Sequence, residues 1–176
     1  MKVRRVVTGH DVDGRARVVD DRAVEPIRSA LMPGCAAYRL WGRDDRPRFP
    51  DDGSPRPAHA YYPPPAGSRF MINLIPPGEL VAPPGLDVGA EMVELERQMP
   101  GAIATMEADD PGMHTTDSID YVLVVSGEIT LELDDGEQTV LRAGDVVVQN
   151  GTRHAWRNQG TEPCTIVGVA VGADRC

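Results

Sequence analysis

Residues 114–158 decide the fold, and they read HTTDSIDYVLVVSGEITLELDDGEQTVLRAGDVVVQNGTRHAWRN. Within this stretch Ile129, Leu131 and Leu133 alternate with polar residues. An alternation with a period of two residues is typical of a strand with one buried face. The Asp134-Asp135-Gly136 sequence that follows predicts a tight turn, because Asp and Gly accept the positive φ that a hairpin requires.

Two more strands are predicted in the second half of this stretch. One runs from about residue 138 to residue 142, the next begins at Val146, and Ala143-Gly144-Asp145 forms the turn between them. Short strands separated by closely spaced turns are typical of an antiparallel barrel or jelly roll. The sequence therefore predicts an all-β fold.

The stretch resembles the cupin family, whose pattern consists of two sequence blocks. The first family block is His-x-His, a short spacer, Glu, a longer spacer and Gly. In this chain His114-Thr115-Thr116 stands for His-x-His, Asp120 falls where the Glu belongs, and Gly127 closes the block. The first block is thus only partly matched, because Thr116 replaces a histidine.

The second family block runs from Gly through Pro-x-Gly to His and Asn, and it is nearly intact. Gly144 opens it, Gln149-Asn150-Gly151 replaces Pro-x-Gly, and His154 and Asn158 follow at the family's spacing. The resemblance extends over roughly residues 112–172. It implies an antiparallel double-stranded β-helix, the jelly-roll barrel of cupins, with an N-terminal extension and one short helix.

A three-ligand metal site is expected inside this barrel. The family supplies three His and one Glu, whereas this chain retains His114, Asp120 and His154. Residues of equal parity share one face of a strand, so His114 and Asp120 can both point inward. Two imidazoles and one carboxylate would bind one divalent metal ion, iron or zinc, with manganese and nickel as further candidates. The alternative is that these histidines are barrel-interior residues hydrogen-bonded to carboxylate and that Asp120 is a capping or loop residue.

Four side chains are expected to line the space above the metal: Thr116, Ser118, Gln149 and Trp156. Thr116 and Ser118 share the parity of His114, and Trp156 shares that of His154. Trp156 is interpreted as a pocket wall, because indole offers area and a single donor. Gln149 is expected either to bind a substrate oxygen or to satisfy its own turn.

Length and charge limit the class of protein. The 176 residues predict one domain, and the net charge of −9 argues against nucleic acid as a partner. No uninterrupted apolar run is long enough for a membrane span, so no membrane association is expected. The three cysteines, Cys35, Cys164 and Cys176, match no metal or redox spacing and predict reduced thiols in a cytoplasmic protein.

The chain is divided here into an N-terminal extension (1–68), a cupin barrel (69–172) and a tail (173–176). The extension contains a predicted hairpin of strands 2–8 and 15–20 and a Pro-rich loop over 41–68. His10 and His59 are expected to be surface residues of turn and loop. Because the hairpin has no evident partner of its own, it is expected to pair with a neighbouring protomer in a homodimer.

One helix is predicted over residues 88–99. Val88, Met92, Leu95 and Met99 recur on one helical face, and Asp87 is placed as the N-cap. The favoured interpretation is a helix packed on the outside of the sheet that also supports dimerisation. The alternative is a lid over the barrel mouth.

Three classes of function remain open. The first is a metal-dependent enzyme that acts on a small oxygenated organic acid or carbonyl compound, with lyase, dehydratase or isomerase chemistry or, alternatively, as a non-heme Fe(II) dioxygenase. The second is a metal-free small-molecule-binding or sensor protein. The third, a structural or storage protein, is disfavoured by the single-domain size.

Overall fold

The computed structural model describes residues 1–175, which form ten strands, one α-helix and two short 3-10 turns. Cys176, predicted to be a reduced thiol, lies outside the described residues. The strands are β1 (Val3–His10), β2 (Ala16–Val24), β3 (Ala36–Arg43), β4 (Ser68–Ile75), β5 (Ser118–Ser126), β6 (Glu128–Glu132), β7 (Gln138–Arg142), β8 (Val146–Asn150), β9 (Ala155–Arg157) and β10 (Cys164–Gly172). The helix α1 spans Val88–Gln98, and the 3-10 turns span Ile103–Thr105 and Asp134–Gly136.

Two antiparallel sheets form the body of the fold. One has five strands in the order β3-β4-β10-β5-β8, and the other has three in the order β7-β6-β9. A cluster of buried side chains joins the two sheets: Val122, Val124, Ile129, Leu131, Leu141, Cys164 and Ile166. The predicted all-β, antiparallel jelly-roll class is confirmed.

The five-stranded sheet takes in a strand from the region predicted as the N-terminal extension. Strand β3 pairs with β4 along its length. The predicted strand over residues 68–75 coincides with β4. Strand β10 lies between β4 and β5, in the middle of the sheet; Ile166 and Ala170 are buried on its inner side, whereas Val169 and Val171 on its outer side are exposed.

Two tight turns explain why the sequence has glycine or aspartate at positions 127, 135 and 136. Asp135 and Gly136 both have positive φ, 56° and 74°, as the predicted hairpin turn requires. Gly127 also has positive φ, and a Cβ atom there would lie 2.6 Å from the carbonyl oxygen of Pro163. A side chain at position 127 would therefore push apart the turn that leads from β5 into β6.

The N-terminal hairpin packs on its own chain. Strands β1 and β2 pair with each other, and Val3 and Val24 contact the buried cluster formed by β3. The Tyr38 hydroxyl donates a hydrogen bond to the Met1 carbonyl at 2.9 Å, and Arg5 donates to the Leu40 carbonyl at 3.0 Å. The hairpin therefore covers the outer face of the sheet at its β3 end; the homodimer stays a prediction.

Helix α1 docks only through its C-terminal half. The predicted N-cap is confirmed, because the Asp87 carboxylate accepts a hydrogen bond from the Ala90 N–H at 3.0 Å. Leu95 is buried, as is Met99 at the end of the helix, whereas Val88 and Met92 remain exposed. No helix within residues 1–175 combines the length and apolar character that a membrane span requires.

Arg69 anchors the loop that connects β3 to β4. Its side chain is almost wholly buried, with a relative exposure of 2%. The guanidinium pairs with Asp44 at 2.5 Å and donates hydrogen bonds to the carbonyls of Arg43, Ala60 and Tyr62. A buried charge needs several partners, and this loop supplies them. Tyr61 and Tyr62 are thereby held at the mouth of the sheet pair.

Candidate active site

Two histidines from opposite ends of the predicted motif lie against each other. The backbones of His114 and His154 form an isolated antiparallel bridge, with N–H to carbonyl distances of 2.9 Å in both directions. Their imidazole centroids are 4.2 Å apart. His154 directly precedes β9 and is 1% exposed, so this pair is fixed by strand pairing rather than by loop position.

The hydrogen bonds of the two rings settle their tautomers. Nδ1 of His114 lies 3.0 Å from the Gly112 carbonyl oxygen, and Nδ1 of His154 lies 2.9 Å from the Thr152 carbonyl oxygen. Because a carbonyl only accepts, each Nδ1 carries the proton and each neutral ring has a lone pair on Nε2. Within residues 1–175 neither Nε2 is engaged in a hydrogen bond.

Both imidazoles are held neutral. Burial lowers the pKa of His114, although the Gly112 carbonyl and Asp120 oppose this effect. Burial, with a contribution from neighbouring His114, lowers the pKa of His154 to about 4. Two neutral bases therefore face one enclosed space at neutral pH.

Asp120 lies on β5 and lines the same space as the two histidines, and a neighbouring hydroxyl holds its carboxylate. The Ser118 hydroxyl donates to Asp120 Oδ1 at 2.7 Å and lies 3.0 Å from the Thr116 hydroxyl. Burial raises the pKa of the Asp120 carboxyl, while Ser118 and His114 oppose the rise. Asp120 is therefore a group that holds a proton more readily than an exposed aspartate does.

The donor set fits a metal ion only in part. Imidazoles whose Nδ1–H is tied to a backbone carbonyl present Nε2 as metal-binding histidines do. Across the described residues, however, no group of three or more His, Cys, Asp and Glu side chains comes close enough together to hold a metal ion. The structure thus offers two preformed nitrogen donors, and the three-ligand set of His114, Asp120 and His154 stays a prediction.

A cavity of about 230 Å³ opens beside the histidines and is mostly apolar. Four methionines line it: Met32, Met71, Met99 and Met106. Its aromatic walls are Tyr61, Tyr62 and Trp156, and its further polar side chains include Arg28, Ser29, Cys35 and Asn73. The polar end formed by His114, His154 and Asp120 is therefore set against a largely hydrophobic chamber.

Of the four predicted pocket residues only Trp156 lines this cavity. Its indole meets the His154 ring edge-on, with centroids 5.8 Å apart. Thr116 and Ser118 are buried behind Asp120, where the Ser118 hydroxyl bonds both the Asp120 carboxylate and the Thr116 hydroxyl. Thr116 and His114 precede β5, so the expected strand parity does not extend back to them. Gln149 donates to the backbone and hydroxyl of Thr152 and so satisfies its own turn.

Sequence reasoning missed Tyr62 as a site residue. Its ring stacks on His114 at a centroid distance of 6.3 Å and an interplanar angle of 25°. Burial raises the pKa of Tyr62, so its hydroxyl stays protonated. The only signal was the Tyr61-Tyr62 pair next to the prolines of the loop; the Tyr62 carbonyl accepts a hydrogen bond from Arg69 at the start of β4.

The remaining histidines lie away from the cavity. Nδ1 of His10 lies 2.9 Å from the Asp51 carbonyl oxygen, which accepts a hydrogen bond from it, and His59 is exposed on the loop. Arg153 and Arg157, one on each side of His154 in the sequence, form ion pairs. Arg153 binds Glu107 at 2.7 Å and Arg157 binds Glu132 at 2.8 Å, which fixes the segment that carries the histidine.

Comparison with known proteins gives relatives over most of the chain. The chain is 43% identical over 163 residues to phomopsin biosynthesis cluster protein C' of Diaporthe leptostromiformis, covering 88% of this chain and 70% of that protein. It is 40% identical over 163 residues to the cupin-domain-containing oxidoreductase srdB of Neurospora crassa, covering 90% of this chain and 67% of the relative.

Solved structures with a similar fold include the polyketide cyclase RemF of Streptomyces resistomycificus. It matches with a TM-score of 0.46 at 14% identity, over 84% of this chain and 72% of that one. The profile of the Cupin domain family matches residues 102–170, which include both histidines and Asp120. With this profile match and relatives of at least 40% identity along most of its length, the chain belongs to the cupin family.

Proposed function

We propose that this protein is an enzyme that acts on an organic molecule with an apolar body and an oxygen-bearing head group, a carboxylate or a carbonyl. The observation that carries the proposal is the imidazole pair, whose two Nε2 lone pairs are presented at the polar end of an apolar cavity. Enclosed cavities with a few convergent polar groups of shifted pKa are typical of active sites.

The residues support proton-transfer chemistry of the isomerase, dehydratase or lyase type. Nε2 of one neutral imidazole accepts the proton from a carbon next to the carbonyl, and the C–H electron pair moves toward the carbonyl oxygen. In its protonated form, which burial favours by raising the pKa, the Asp120 carboxyl donates a proton to that oxygen. Tyr62 and Trp156 bound the two sides of the histidine pair and orient the apolar body.

A divalent metal ion, iron or zinc, is the alternative state of the same site: a lone pair that binds a metal cannot accept a proton, so the proton transfer belongs to the metal-free site. Nε2 of His114 and Nε2 of His154 would hold it, with Asp120 as the third donor. When bound, such an ion supplies Lewis-acid polarisation of the head-group oxygen. The two tied Nδ1–H groups keep both rings in the tautomer that such binding needs.

A second candidate, a non-heme Fe(II) dioxygenase, is favoured by the names of the relatives. Several of them are cupin-domain-containing oxidoreductases, and others belong to biosynthesis clusters. Two histidines and one carboxylate leave open positions for substrate and O₂ on an iron centre. Oxygen consumption separates this candidate from proton transfer, which consumes no O₂.

The experiment uses protein purified without chelator and without a nickel affinity tag. Its metal content is measured by mass spectrometry for the parent, His154→Ala and the surface control His59→Ala. We expect metal occupancy to collapse in His154→Ala and to be unchanged in His59→Ala. Parent-like occupancy in His154→Ala would refute the metal assignment.

The proton-transfer step is tested on its own with 2-oxo-4-phenylbutanoate as the probe. Its phenyl group suits the apolar cavity, and its 2-oxo acid suits the polar end. Proton NMR in D₂O follows deuterium incorporation next to the carbonyl. We expect the parent to accelerate the exchange above buffer and His154→Ala and Asp120→Asn to lose at least about 100-fold of that acceleration. Exchange that is equally fast in both variants contradicts the assigned roles.

A further inference from the structure

A second cleft lies away from the histidines, between the N-terminal hairpin, β3 and the loop that follows β3. It has a volume of about 170 Å³, and four arginines line it: Arg5, Arg22, Arg39 and Arg56. We call it the arginine cleft. None of its lining residues is acidic, although the chain has 27 acidic residues against 18 basic ones, and none of them lines the cavity beside the histidines. The arginine cleft is therefore a separate pocket of positive charge.

Two hydrogen-bond donors of the arginine cleft have no acceptor. Arg5 donates from its Nη atoms to the Leu40 carbonyl and the Asp20 carboxylate. Arg56 pairs through Nη2 with two aspartates of its own loop, at 3.3 and 3.0 Å. The Nε atoms of both arginines are buried without a hydrogen-bond partner, and no other buried side-chain nitrogen or oxygen atom within residues 1–175 lacks one. Because buried donors in folded proteins are almost always paired, two unpaired donors in one cleft point to an acceptor that binds there.

The positive charge of the arginine cleft is only partly balanced. Arg5 and Arg22 share a single carboxylate, that of Asp20. Among the residues that the structure describes, Arg39 forms no ion pair, and its guanidinium donates instead to two loop carbonyls at 3.1 Å. Burial, together with the like charge of Arg69, lowers the pKa of Arg39. An anion bound in the cleft would offset this excess of positive charge.

The lining of the arginine cleft suits an oxyanion that carries an organic group. The planar fork of N–H donors on a guanidinium matches the oxygens of phosphate and carboxylate. A phosphate monoester offers three terminal oxygens and about two negative charges, whereas a carboxylate offers two oxygens and one charge. Several arginines with two open Nε–H donors match phosphate better. Leu40, Trp41 and Pro55 add apolar surface against which an organic group packs.

We propose that the arginine cleft binds a small organic phosphate ester, with the phosphate on the arginines and the organic part against Trp41. The Arg5 guanidinium lies 5.3 Å from the centre of the Trp41 ring, so cation and indole form one continuous surface for such a ligand. Because the arginine cleft and the histidine cavity share no lining residue, this inference does not depend on the proposed function.

Isothermal titration calorimetry with phenyl phosphate tests the site in the intact chain. The titration is run at about 0.15 M salt, which screens charges more than about 8 Å apart. We expect one molecule to bind per chain with a dissociation constant below about 1 mM, and a value above about 1 mM overturns the proposal. Inorganic phosphate, which has no organic part, and benzoate, which has less charge, should each bind at least about tenfold more weakly. If either binds as tightly as phenyl phosphate, the assignment to an organic phosphate is wrong.

Arginine variants locate the bound ligand. Arg56→Ala removes one of the two open Nε–H donors, and the dissociation constant of phenyl phosphate should rise at least about tenfold. The matched control is Arg4→Ala on β1, which removes the same charge from an exposed ion pair outside the cleft and should change the constant by less than about twofold. A folded Arg56→Ala variant that binds like the parent overturns the proposal. If Arg56→Ala does not fold, Arg22→Ala, whose side chain is 60% exposed, takes its place with the same expected rise, and an unchanged constant overturns the proposal.

His154→Gln separates the arginine cleft from the histidine cavity, whose polar end also suits an oxyanion. Because His154 does not line the arginine cleft, the affinity for phenyl phosphate should be that of the parent. A folded His154→Gln variant with an affinity at least about tenfold weaker would place the ligand beside the histidines and overturn the proposal.

Discussion

The two faces of the five-stranded sheet differ in chemistry. The inner face carries Arg69, Asp120 and Gln149, each buried or half-buried and each matched by a hydrogen bond or an ion pair. The outer face beyond the N-terminal hairpin instead carries exposed apolar side chains, among them Phe70, Tyr121 and Val148. The inner face thus adds a few buried, paired polar groups to an apolar core, and such groups are common where a face serves ligand chemistry.

The largest effect is expected at Arg69 on the inner side. Arg69→Ala leaves the Asp44 carboxylate and several loop carbonyls without their donor. Breaking a buried ion pair by removing one partner costs about 4 kcal/mol of unfolding free energy. Chemical denaturation measures this loss, with the exposed Arg97→Ala as a control that should change stability by under about 0.5 kcal/mol. A small loss at Arg69 would mean that the loop over residues 44–62 does not depend on it.

The pH dependence of the unfolding free energy tests whether buried His154 on the inner side is held neutral. Its folded-state pKa of about 4 lies below its ordinary value near 6.5, so protonation favours the unfolded chain. The contribution of neutral His154 is fully present above pH 6.5 and is lost as the pH falls toward 4. We expect the parent to lose about 2 kcal/mol over this range and His154→Gln to lose less. Equal slopes for both proteins in urea titrations at each pH would contradict this assignment.

Neighbouring valines on β5 compare the two faces directly. Val124 points inward and is 1% exposed, whereas Val125 points outward and is 49% exposed. Val124→Ala removes buried methyl groups and is expected to cost about 2 kcal/mol, while Val125→Ala should cost under about 0.5 kcal/mol. Urea denaturation of both variants at one protein concentration measures the difference. Similar losses at the two positions would mean that the outer face is already packed.

The smallest changes in stability are expected from two tyrosines on the outer face of the sheet, one under the N-terminal hairpin and one exposed. Tyr38→Phe removes the hydrogen bond to the Met1 carbonyl and should cost about 1 kcal/mol. Tyr121 on the outer face of β5 is 52% exposed. Tyr121→Phe removes a hydroxyl that makes no hydrogen bond within residues 1–175, and it should leave the unfolding free energy nearly unchanged. Thermal unfolding followed by circular dichroism distinguishes the two variants. An effect of Tyr121→Phe as large as that of Tyr38→Phe would place the Tyr121 hydroxyl in a contact of its own.

Much of the fold could be predicted from local patterns. The alternation around Ile129, the turn at Asp135 and the cap at Asp87 act over a few residues, and the structure has all three. The spacing of the second block also located His154 beside His114. These features depend on neighbours in sequence or on one strand pairing, which a periodic pattern reveals.

The other features of the fold and the site depend on contacts that a local sequence pattern does not reveal. Strand β3 falls within the predicted N-terminal extension, and no local pattern pairs it with β4, at least 25 residues further along the chain. Tyr62 lies on the loop that Arg69 binds, and a single arginine in a strand gives no sign of that role. Thr116 precedes β5, so its parity with Asp120 did not establish that both side chains share a face.

The four methionines that line the cavity bear on how the protein can change its substrate in evolution. Unbranched thioether side chains rotate at low cost and reshape around ligands of different outline. Met32, Met71, Met99 and Met106 come from a turn, a strand, the end of a helix and the residue after a 3-10 turn, and the first three pack in one cluster. The cavity should therefore discriminate only weakly between ligands whose apolar parts differ in shape, whereas the histidines keep fixed positions. Such a chamber can be retuned to a new substrate by single substitutions that leave the reacting end untouched.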